Sequence, residues 1–430
     1  MLIKTNKHIV TKIFSVKYTL ITILFLIIFL HLVSFIPTFH RSITDYRQAE
    51  RVILLNDVGD ELYTAVGNYG FERGRGNVVL NDAGPVEKME ENRRFILSRR
   101  ADGDEALKKA LVKLAGFDQE NIQNDIAKIK QLTGSIEDLR KETAKDLLTH
   151  KAQRKPGLAE SWFAAMTAYI ESIESLLVDI SSDISDADGM ISRYSSLKHE
   201  TLALRNTAGP EMSILSATIL SNAPLTPQLT QKINNLQVLT EAHFQKMEDL
   251  SQSLTDPQIP AALQELKKTY YEYYFPYRET IFPLALKGGP YPYSQNDFLD
   301  HGVKALLQIS DFMENVMIVT KQYAQNKLHK TRKDIISQVL SSFGSMLLII
   351  LVFIFANYHV IQPISQITLA ILRLANKDSD VFVPHQKAQN EIGDMSRAVG
   401  IFKGMAIQLD KDVIALKQAS EERELLIVSA

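Results

Sequence analysis

The chain has 430 residues, 45% of them hydrophobic, and 48 basic against 50 acidic residues give it a formal net charge of −2. It is longer than one average domain, and it lacks the basic excess that is typical of nucleic-acid-binding proteins, so we expect no nucleic-acid partner. Because the sequence contains no cysteine, disulfides and thiolate metal sites are excluded.

The first apolar segment covers residues 18–36 and carries no charge between Lys17 and His40. About 20 apolar residues cross a bilayer as a helix, so this segment predicts a membrane span. It is too long for the apolar core of a signal peptide, and residues 34–36 form a poor cleavage site. The lysines of residues 1–17 place the N-terminus in the cytoplasm by the positive-inside rule.

Residues 37–334 follow a helical periodicity almost throughout, and we interpret them as a periplasmic sensor domain. Apolar residues recur at steps of three and four in stretches such as 122–139, 162–184 and 229–244. No alternating strand pattern of comparable length competes with them. Helices joined by short loops form bundles, and this length is too great for one four-helix bundle, so we predict two stacked bundles.

A glycine-rich stretch, residues 68–77, interrupts this pattern and contains Arg73 and Arg75. Glycine costs up to about 1 kcal/mol in a helix interior, which suggests close packing or a backbone opened toward a ligand. Arginine is a bidentate donor suited to carboxylate, nitrate or phosphate. The alternative is that both arginines lie on a solvated face or pair with Glu72 and Asp82.

A second stretch, residues 204–211, contains Arg205 and resembles the first loosely, with Gly209-Pro210-Glu211 matching Gly70-Phe71-Glu72. The pair of stretches resembles the nitrate-sensing (NIT-like) and helical bimodular ligand-binding domains of bacterial receptors. That resemblance implies that Arg73, with Arg75 and Arg205, binds a small anionic ligand.

A second apolar segment, residues 335–357, predicts a second membrane span and returns the chain to the cytoplasm. One feature opposes this orientation, because four basic residues crowd the outer flank of the segment while the inner flank has none before Arg373. We let the first span decide the topology.

The residues after the second span predict a pair of amphipathic helices. Ile364, Ile367, Ile371 and Leu374 repeat at helical steps after Pro363, and a polar connector, residues 376–390, precedes a longer helix. In that helix, apolar residues recur at alternating steps of three and four, the period of a coiled-coil seam. The seam residues are Ile392, Met395, Val399, Phe402, Ala406, Leu409, Val413 and Leu416.

Residues 358–410 resemble the HAMP linker of bacterial transmembrane receptors. The resemblance rests on Pro363, on the connector, and on Glu391-Ile392-Gly393 at the start of the second helix; Asn390 stands where the family usually has Asp. It implies a homodimeric cytoplasmic coiled coil in which Pro363, Glu391 and Gly393 relay a signal toward residues 411–430. The alternative is an ordinary coiled coil beside the membrane.

No phosphate-binding loop, metal-spaced histidine cluster or nucleophile triad is evident in the sequence, so we expect no catalytic residue, metal or cofactor. Together with the resemblances, this predicts an all-α bacterial inner-membrane protein that acts as the input half of a sensor histidine kinase. The expected partners are a second copy of the chain, a small anionic ligand and the lipid bilayer. The alternatives are the input half of a methyl-accepting chemoreceptor and a membrane scaffold that binds no ligand.

Overall fold

The computed structural model describes residues 16–81, 86–146, 154–185, 188–376, 378 and 380–428. Every regular element within these ranges is helical, which confirms the predicted all-α class. The lysines at positions 4, 7 and 12, on which the predicted orientation of the first span depends, lie outside the described residues.

The helices follow one another with short connections. They are α1 (Val16–Asn81), α2 (Val86–Lys113), α3 (Glu120–Asp146), α4 (Leu158–Ser185), α5 (Gly189–Ser221), α6 (Pro227–Gln252), α7 (Gln258–Lys268), α8 (Phe275–Ala285), α9 (Gln295–Ala356), α10 (Gln362–Ala375) and α11 (Glu391–Val428). Two π-helical turns, Thr269–Tyr274 and Asn357–Ile361, precede α8 and α10.

Side-chain caps explain where several helices begin. The carboxylate of Asp188 accepts hydrogen bonds from the amides of Met190 and Ile191 at 2.8 and 3.0 Å at the start of α5. At the start of α9, Ser294 and Asp297 cap each other, since the Ser294 amide donates to the carboxylate at 3.1 Å and the Asp297 amide donates to the hydroxyl at 3.2 Å. Each cap satisfies amide groups that have no partner inside the helix.

The chain divides into two compact units, one of residues Thr44–Arg332 and one of Met1–Ile43 with Lys333–Ala430. In the first of these, which we call the helical unit, the buried apolar side chains form two clusters. The first cluster comes mainly from α1 to α4 and contains Trp162 and Tyr69. The second comes mainly from α5 to α9 and contains Phe244 and Tyr274. Helices α5 and α9 contribute to both clusters.

The other unit contains two helical segments long and apolar enough to cross a membrane. Their most apolar windows have mean hydropathies of 2.7 and 2.6 and contain no buried residue. Within this unit, His31 Nε2 lies 2.9 Å from Ser342 Oγ, and Ser42 Oγ donates to Gln338 Oε1 at 2.9 Å. These contacts join α1 to α9, so polar side chains pair within otherwise apolar helices.

The last two helices of that unit pack around a small apolar cluster. Ile367 of α10, Val383 of the connector and Val399 of α11 are buried together, with Ile392 packed against them. Ile392 and Val399 both belong to the predicted seam, whereas the seam residues Phe402 and Leu409 are each 66% exposed. Two residues near the start of the seam therefore pack within the chain, and most of the seam is exposed.

Gly76 packs closely against Trp162, so a substitution at this position tests the packing of the first cluster. A methyl group at this position would lie 2.6 Å from Trp162 Nε1, whereas one at Gly59 of the same helix would meet nothing within 4 Å. We expect Gly76→Ala to lower the free energy of unfolding by about 1–3 kcal/mol through overpacking. We expect Gly59→Ala to raise it by about 0.5–1 kcal/mol, because alanine is the better helix former. Thermal unfolding of the two variants measures both effects, and equal shifts would contradict the predicted packing.

Candidate functional site

The three arginines predicted to bind a ligand line one cavity of the helical unit. The cavity has a volume of about 70 Å³ and lies among α1, α2, α4, α5 and α9. Its lining includes Arg73, Arg75 and Arg205, but no acidic side chain among the described residues. On the same measure one water needs roughly 10–15 Å³, so the space suits a small polyatomic ion rather than a metabolite of many atoms.

Arg205 is the most buried of the three arginines, with 8% of its surface exposed. Its Nη2 donates to the Gly67 carbonyl at 2.5 Å, and its guanidinium carbon lies 4.4 Å from the centre of the Phe71 ring. A methyl group on Gly70 would overlap this guanidinium. The glycine at position 70 is therefore required by the close approach of Arg205, and the Arg205 Nε has no partner among the residues described.

Arg73 enters the cavity from α1. Its Nη1 donates to Thr167 Oγ1 at 3.0 Å, and its guanidinium carbon lies 4.9 Å from the centre of the Phe163 ring. The Nε of Arg73 is also buried without a partner in the described part of the chain. The backbone carbonyl of Arg73 accepts a hydrogen bond from Trp162 Nε1 at 3.1 Å, which ties this turn of α1 to α4.

Arg75 and Arg99 complete a group of four arginines around the aromatic rings. The Arg75 guanidinium lies 5.0 Å from the centre of the Phe95 ring, and no hydrogen bond or ion pair joins it to another described residue. Arg99, which the sequence analysis did not single out, lies 5.2 Å from the same ring and 5.1 Å from the Phe71 ring. Its Nη1 donates to Asn68 Oδ1 at 3.3 Å.

Burial lowers the pKa of each arginine in the cavity. For Arg205, burial and then repulsion by Arg73 and Arg99 lower the pKa to about 9, against attraction by Glu174. Burial likewise lowers the pKa values of Arg73 and Arg75. All three side chains remain protonated at neutral pH. Partly dehydrated positive charges at such a site are stabilised by an anion.

Glu174 is a carboxylate whose charge raises the pKa values of Arg73 and Arg205, against the effect of burial. Its Oε1 accepts a hydrogen bond from Asn206 Nδ2 at 2.7 Å. Burial raises the pKa of Glu174, while the hydrogen bond from Asn206 and the charge of Arg73 oppose that rise. The protein therefore supplies one partly buried negative charge beside the arginine cavity, although Glu174 does not line it.

Of the two alternative partners considered for Arg73 and Arg75, the structure describes only Glu72. Glu72 is fully buried and pairs with Arg140 at 2.6 Å and with Arg100 at 2.8 Å, rather than with either cavity arginine. Asp82 lies outside the described residues. The ligand-binding role of the cavity arginines stays a prediction.

The two loosely similar stretches share one feature of structure. Glu72 in the first and Glu211 in the second are both buried, and each pairs with a buried arginine of another helix: Arg140 of α3 and Arg278 of α8, the latter at 2.9 Å. Neither arginine was predicted from the sequence as a buried partner. A signal was present for Arg140, because it occupies the apolar stripe of α3 four residues after Ile136.

The predicted relay residues lie in the other unit, at the first turns of α10 and α11. Pro363 is buried near the start of α10, and Glu391 is exposed at the start of α11. The Gly393 amide donates to Asn390 Oδ1 at 3.1 Å, so the Asn390 side chain caps α11. A methyl group on Gly393 would overlap the Ala388 carbonyl. A relay role for these residues stays a prediction.

Comparison with known proteins gives a similar fold in one solved structure. No family model and no curated protein matches the chain. The structure of the NasR transcription antiterminator is similar to it, with a TM-score of 0.53, 14% sequence identity, and coverage of 90% of this chain and 99% of that chain. At this identity the likeness shows a shared fold and no more.

This comparison corrects the predicted function. The input half of a sensor histidine kinase, its chemoreceptor alternative and the associated two-component and chemotaxis assignments are contradicted, because the similar protein is a transcription antiterminator. The physical reason is that helical periodicity specifies an arrangement of helices, which can serve unrelated outputs. The exclusion of a nucleic-acid partner is wrong for the same reason, since charge balance and absent motifs do not exclude a role in transcription.

The buried pair of Glu72 and Arg140 gives a test of how the site is built. Arg140→Met leaves Glu72 buried with Arg100 as its remaining partner, and breaking such a pair costs about 3–5 kcal/mol of unfolding free energy. The exposed pair of Arg93 and Glu90, whose side chains are 56% and 55% exposed, is the matched control. Arg93→Met is expected to cost under about 1 kcal/mol. Denaturant unfolding measures both costs, and similar losses would contradict the assigned burial.

Proposed function

We propose that this chain is a regulatory protein whose arginine cavity binds a small oxyanion or carboxylate. The observation that carries the proposal is the convergence of Arg73, Arg75 and Arg205 on one cavity that no carboxylate of a described residue lines. Arginines that served only to stabilise the fold would be expected to pair with acidic residues, as Arg140 and Arg278 do. Arg73, Arg75 and Arg205 instead have no ion pair with a described residue, and each lies over an aromatic ring.

The free donors of these arginines favour a ligand with two or more oxygen atoms. Arg73 and Arg205 each keep a buried Nε without a partner, although each donates one hydrogen bond from its terminal nitrogens. Guanidinium groups bind carboxylates and oxyanions through parallel pairs of N–H donors.

The regulatory part of the proposal draws on the shared fold. A transcription antiterminator is a regulatory protein, and the similarity in fold covers 90% of this chain and 99% of that one. The cavity lies among α1, α2 and α4, which build the first cluster, and α5 and α9, which also join the second. A ligand held there contacts helices from both clusters, so it favours whichever arrangement of them brings the arginines together.

The architecture and location belong to the same proposal. We infer that the two clusters are the cores of two stacked helical bundles and that residues 18–36 and 335–357 cross a bacterial inner membrane. The support for the membrane assignment is the length and apolarity of the two segments and the absence of a buried residue from their most apolar windows. Residues 358–410 are proposed to form a HAMP-like coiled coil, supported by the cap of Asn390 and the cluster around Val399.

Calorimetry tests the anion site. The full chain in lipid nanodiscs is titrated with nitrate, nitrite and acetate, alongside Arg73→Ala and Arg205→Ala. A charge-assisted hydrogen bond is worth roughly 1.5–3 kcal/mol, so each variant is expected to weaken binding by about tenfold to a hundredfold. Arg73→Lys retains the charge but loses the bidentate geometry, and it is expected to recover only part of the affinity.

Arg93→Ala is the control, because Arg93 is exposed and lies outside the cavity. It is expected to bind the anion like the unmodified chain. The proposal is wrong if none of these anions binds, or if an anion binds and both Arg73→Ala and Arg205→Ala leave its affinity unchanged. Thermal unfolding of each variant establishes that it is folded.

Glu174 gives the anion site a pH dependence of definite sign. Burial raises the pKa of this carboxyl above its usual range, so it loses its proton as the pH rises through that raised value. The ionised carboxylate then competes with the ligand for the positive charge of Arg73. Anion affinity is therefore expected to fall as the pH rises through the raised pKa of Glu174.

Glu174→Gln removes this competition, so it is expected to bind the anion more tightly at pH 7 and to show a flatter pH profile. The Asn206 side chain can still hydrogen-bond the substituted amide. Glu265→Gln, at an exposed position outside the cavity, is the control. An unchanged pH profile in Glu174→Gln would assign the pH dependence to another group.

A further inference from the structure

A second cavity adjoins the arginine cavity in the helical unit. It has a volume of about 530 Å³ and lies among α1, α5 and α9, with Arg99 entering from α2. Arg205 and Phe71 line both cavities and form the wall between them. The second cavity differs in charge from the first, because four acidic side chains line it together with two arginines.

The cationic end of the second cavity consists of Arg99 and Arg205. Both guanidinium groups stack on the Phe71 ring, at 5.1 and 4.4 Å from its centre. The Nη2 of Arg205 is bonded to the Gly67 carbonyl, and Gly67 lines this cavity. Arg205 is more than nine-tenths buried, and its Nε has no partner in the described chain. A carboxylate on the ligand would supply the missing acceptor.

The acidic end contains carboxylates with a distant cationic partner or none among the described residues. Glu314 and Asp311 of α9 are exposed and have no ion pair with a described residue, and Glu61 of α1 forms an ion pair with Lys113 at 3.8 Å. Asp60, in contrast, is bonded to the buried Lys198 at 2.5 Å and is thereby neutralised. The second cavity therefore offers negative charge to a cationic group at Glu61 and Glu314.

The cationic and acidic ends of the second cavity lie at different levels along α1 and α9. Gly67, which Arg205 contacts, lies six residues after Glu61, which corresponds to a rise of about 9 Å. Helix α9 runs antiparallel to α1, since Lys321 pairs with Asp57 at 3.2 Å while residues 299–306 face the turn of Arg73. Glu314 therefore lies about one turn of α1, roughly 5 Å, from the level of Gly67.

Apolar side chains line the space between these charged ends. Leu202, Met313 and Met317 contribute to the wall, and methionine adapts its shape to an alkyl chain. An α-amino acid carries its ammonium and carboxylate on the same carbon, which is too short to reach both ends. A ligand with several methylene groups between the two charges matches the separation.

We propose that the second cavity binds a small ω-amino acid. Its carboxylate bonds to Arg205 and Arg99, its ammonium group lies between Glu61 and Glu314, and its methylene chain packs on Met313 and Leu202. This site is separate from the anion site of the proposed function, although Arg205 contributes to both.

Calorimetry on the full chain in lipid nanodiscs tests this proposal with 6-aminohexanoate as the probe. Hexanoate lacks the ammonium group, and glycine lacks the methylene chain. We expect 6-aminohexanoate to bind at least tenfold more tightly than either compound. We also expect Glu61→Gln combined with Glu314→Gln to weaken its binding at least tenfold, while Glu265→Gln leaves it unchanged.

The titrations of nitrate, nitrite and acetate separate the two sites. The combined variant is expected to bind a small anion in the arginine cavity within twofold of the unmodified chain, since neither glutamate lines that cavity. The ω-amino acid site is refuted if 6-aminohexanoate binds no more tightly than hexanoate, or if the combined variant retains full affinity for it. After either outcome, Arg73→Ala alone still tests the anion site, because Arg73 lines only the first cavity.

Discussion

The buried carboxylate of Glu72 is the constraint on which the arrangement of the first three helices depends. A carboxylate without contact with water is stable only when several donors surround it. Arg140 of α3 and Arg100 of α2 supply them, at 2.6 and 2.8 Å. These contacts fix the rotation of α1 about its axis. Because neighbouring residues on a helix point about 100° apart, that rotation also determines where the next side chain, Arg73, enters the cavity.

The aromatic rings explain how several arginines can be crowded together and still offer donors. A guanidinium group stacks on a ring through its flat face, whereas its N–H groups lie in its plane. Phe71, Phe95 and Phe163 therefore hold arginines without using their hydrogen bonds. An ion pair would have held the same side chains equally well, but it would have filled the donors. The lack of an ion pair with a described residue thus distinguishes the cavity arginines from Arg140, which also lies 5.5 Å from the centre of a ring, that of Tyr69, but pairs with Glu72.

Features that depend on local periodicity were predicted correctly from the sequence, whereas contacts between distant segments were not. The helices follow from short-range apolar periodicity, and they are present. The convergence of Arg205 with Arg73 could not be derived, since it depends on how α5 packs against α1. Arg278 was missed because its partner, Glu211, is 67 residues away. The output was wrongly predicted because a helical fold does not specify one.

Repulsion among the arginines makes the helices around the cavity able to respond to a bound anion. Arg73 and Arg99 both lower the pKa of Arg205, which means that their charges oppose one another in the absence of a compensating anion. The bond from Arg205 to the Gly67 carbonyl nevertheless holds α5 against α1. An anion among these charges removes the repulsion and so strengthens the contact between the two helices. Since α5 contributes to both apolar clusters, a change in its position at the cavity is transmitted to the packing of each.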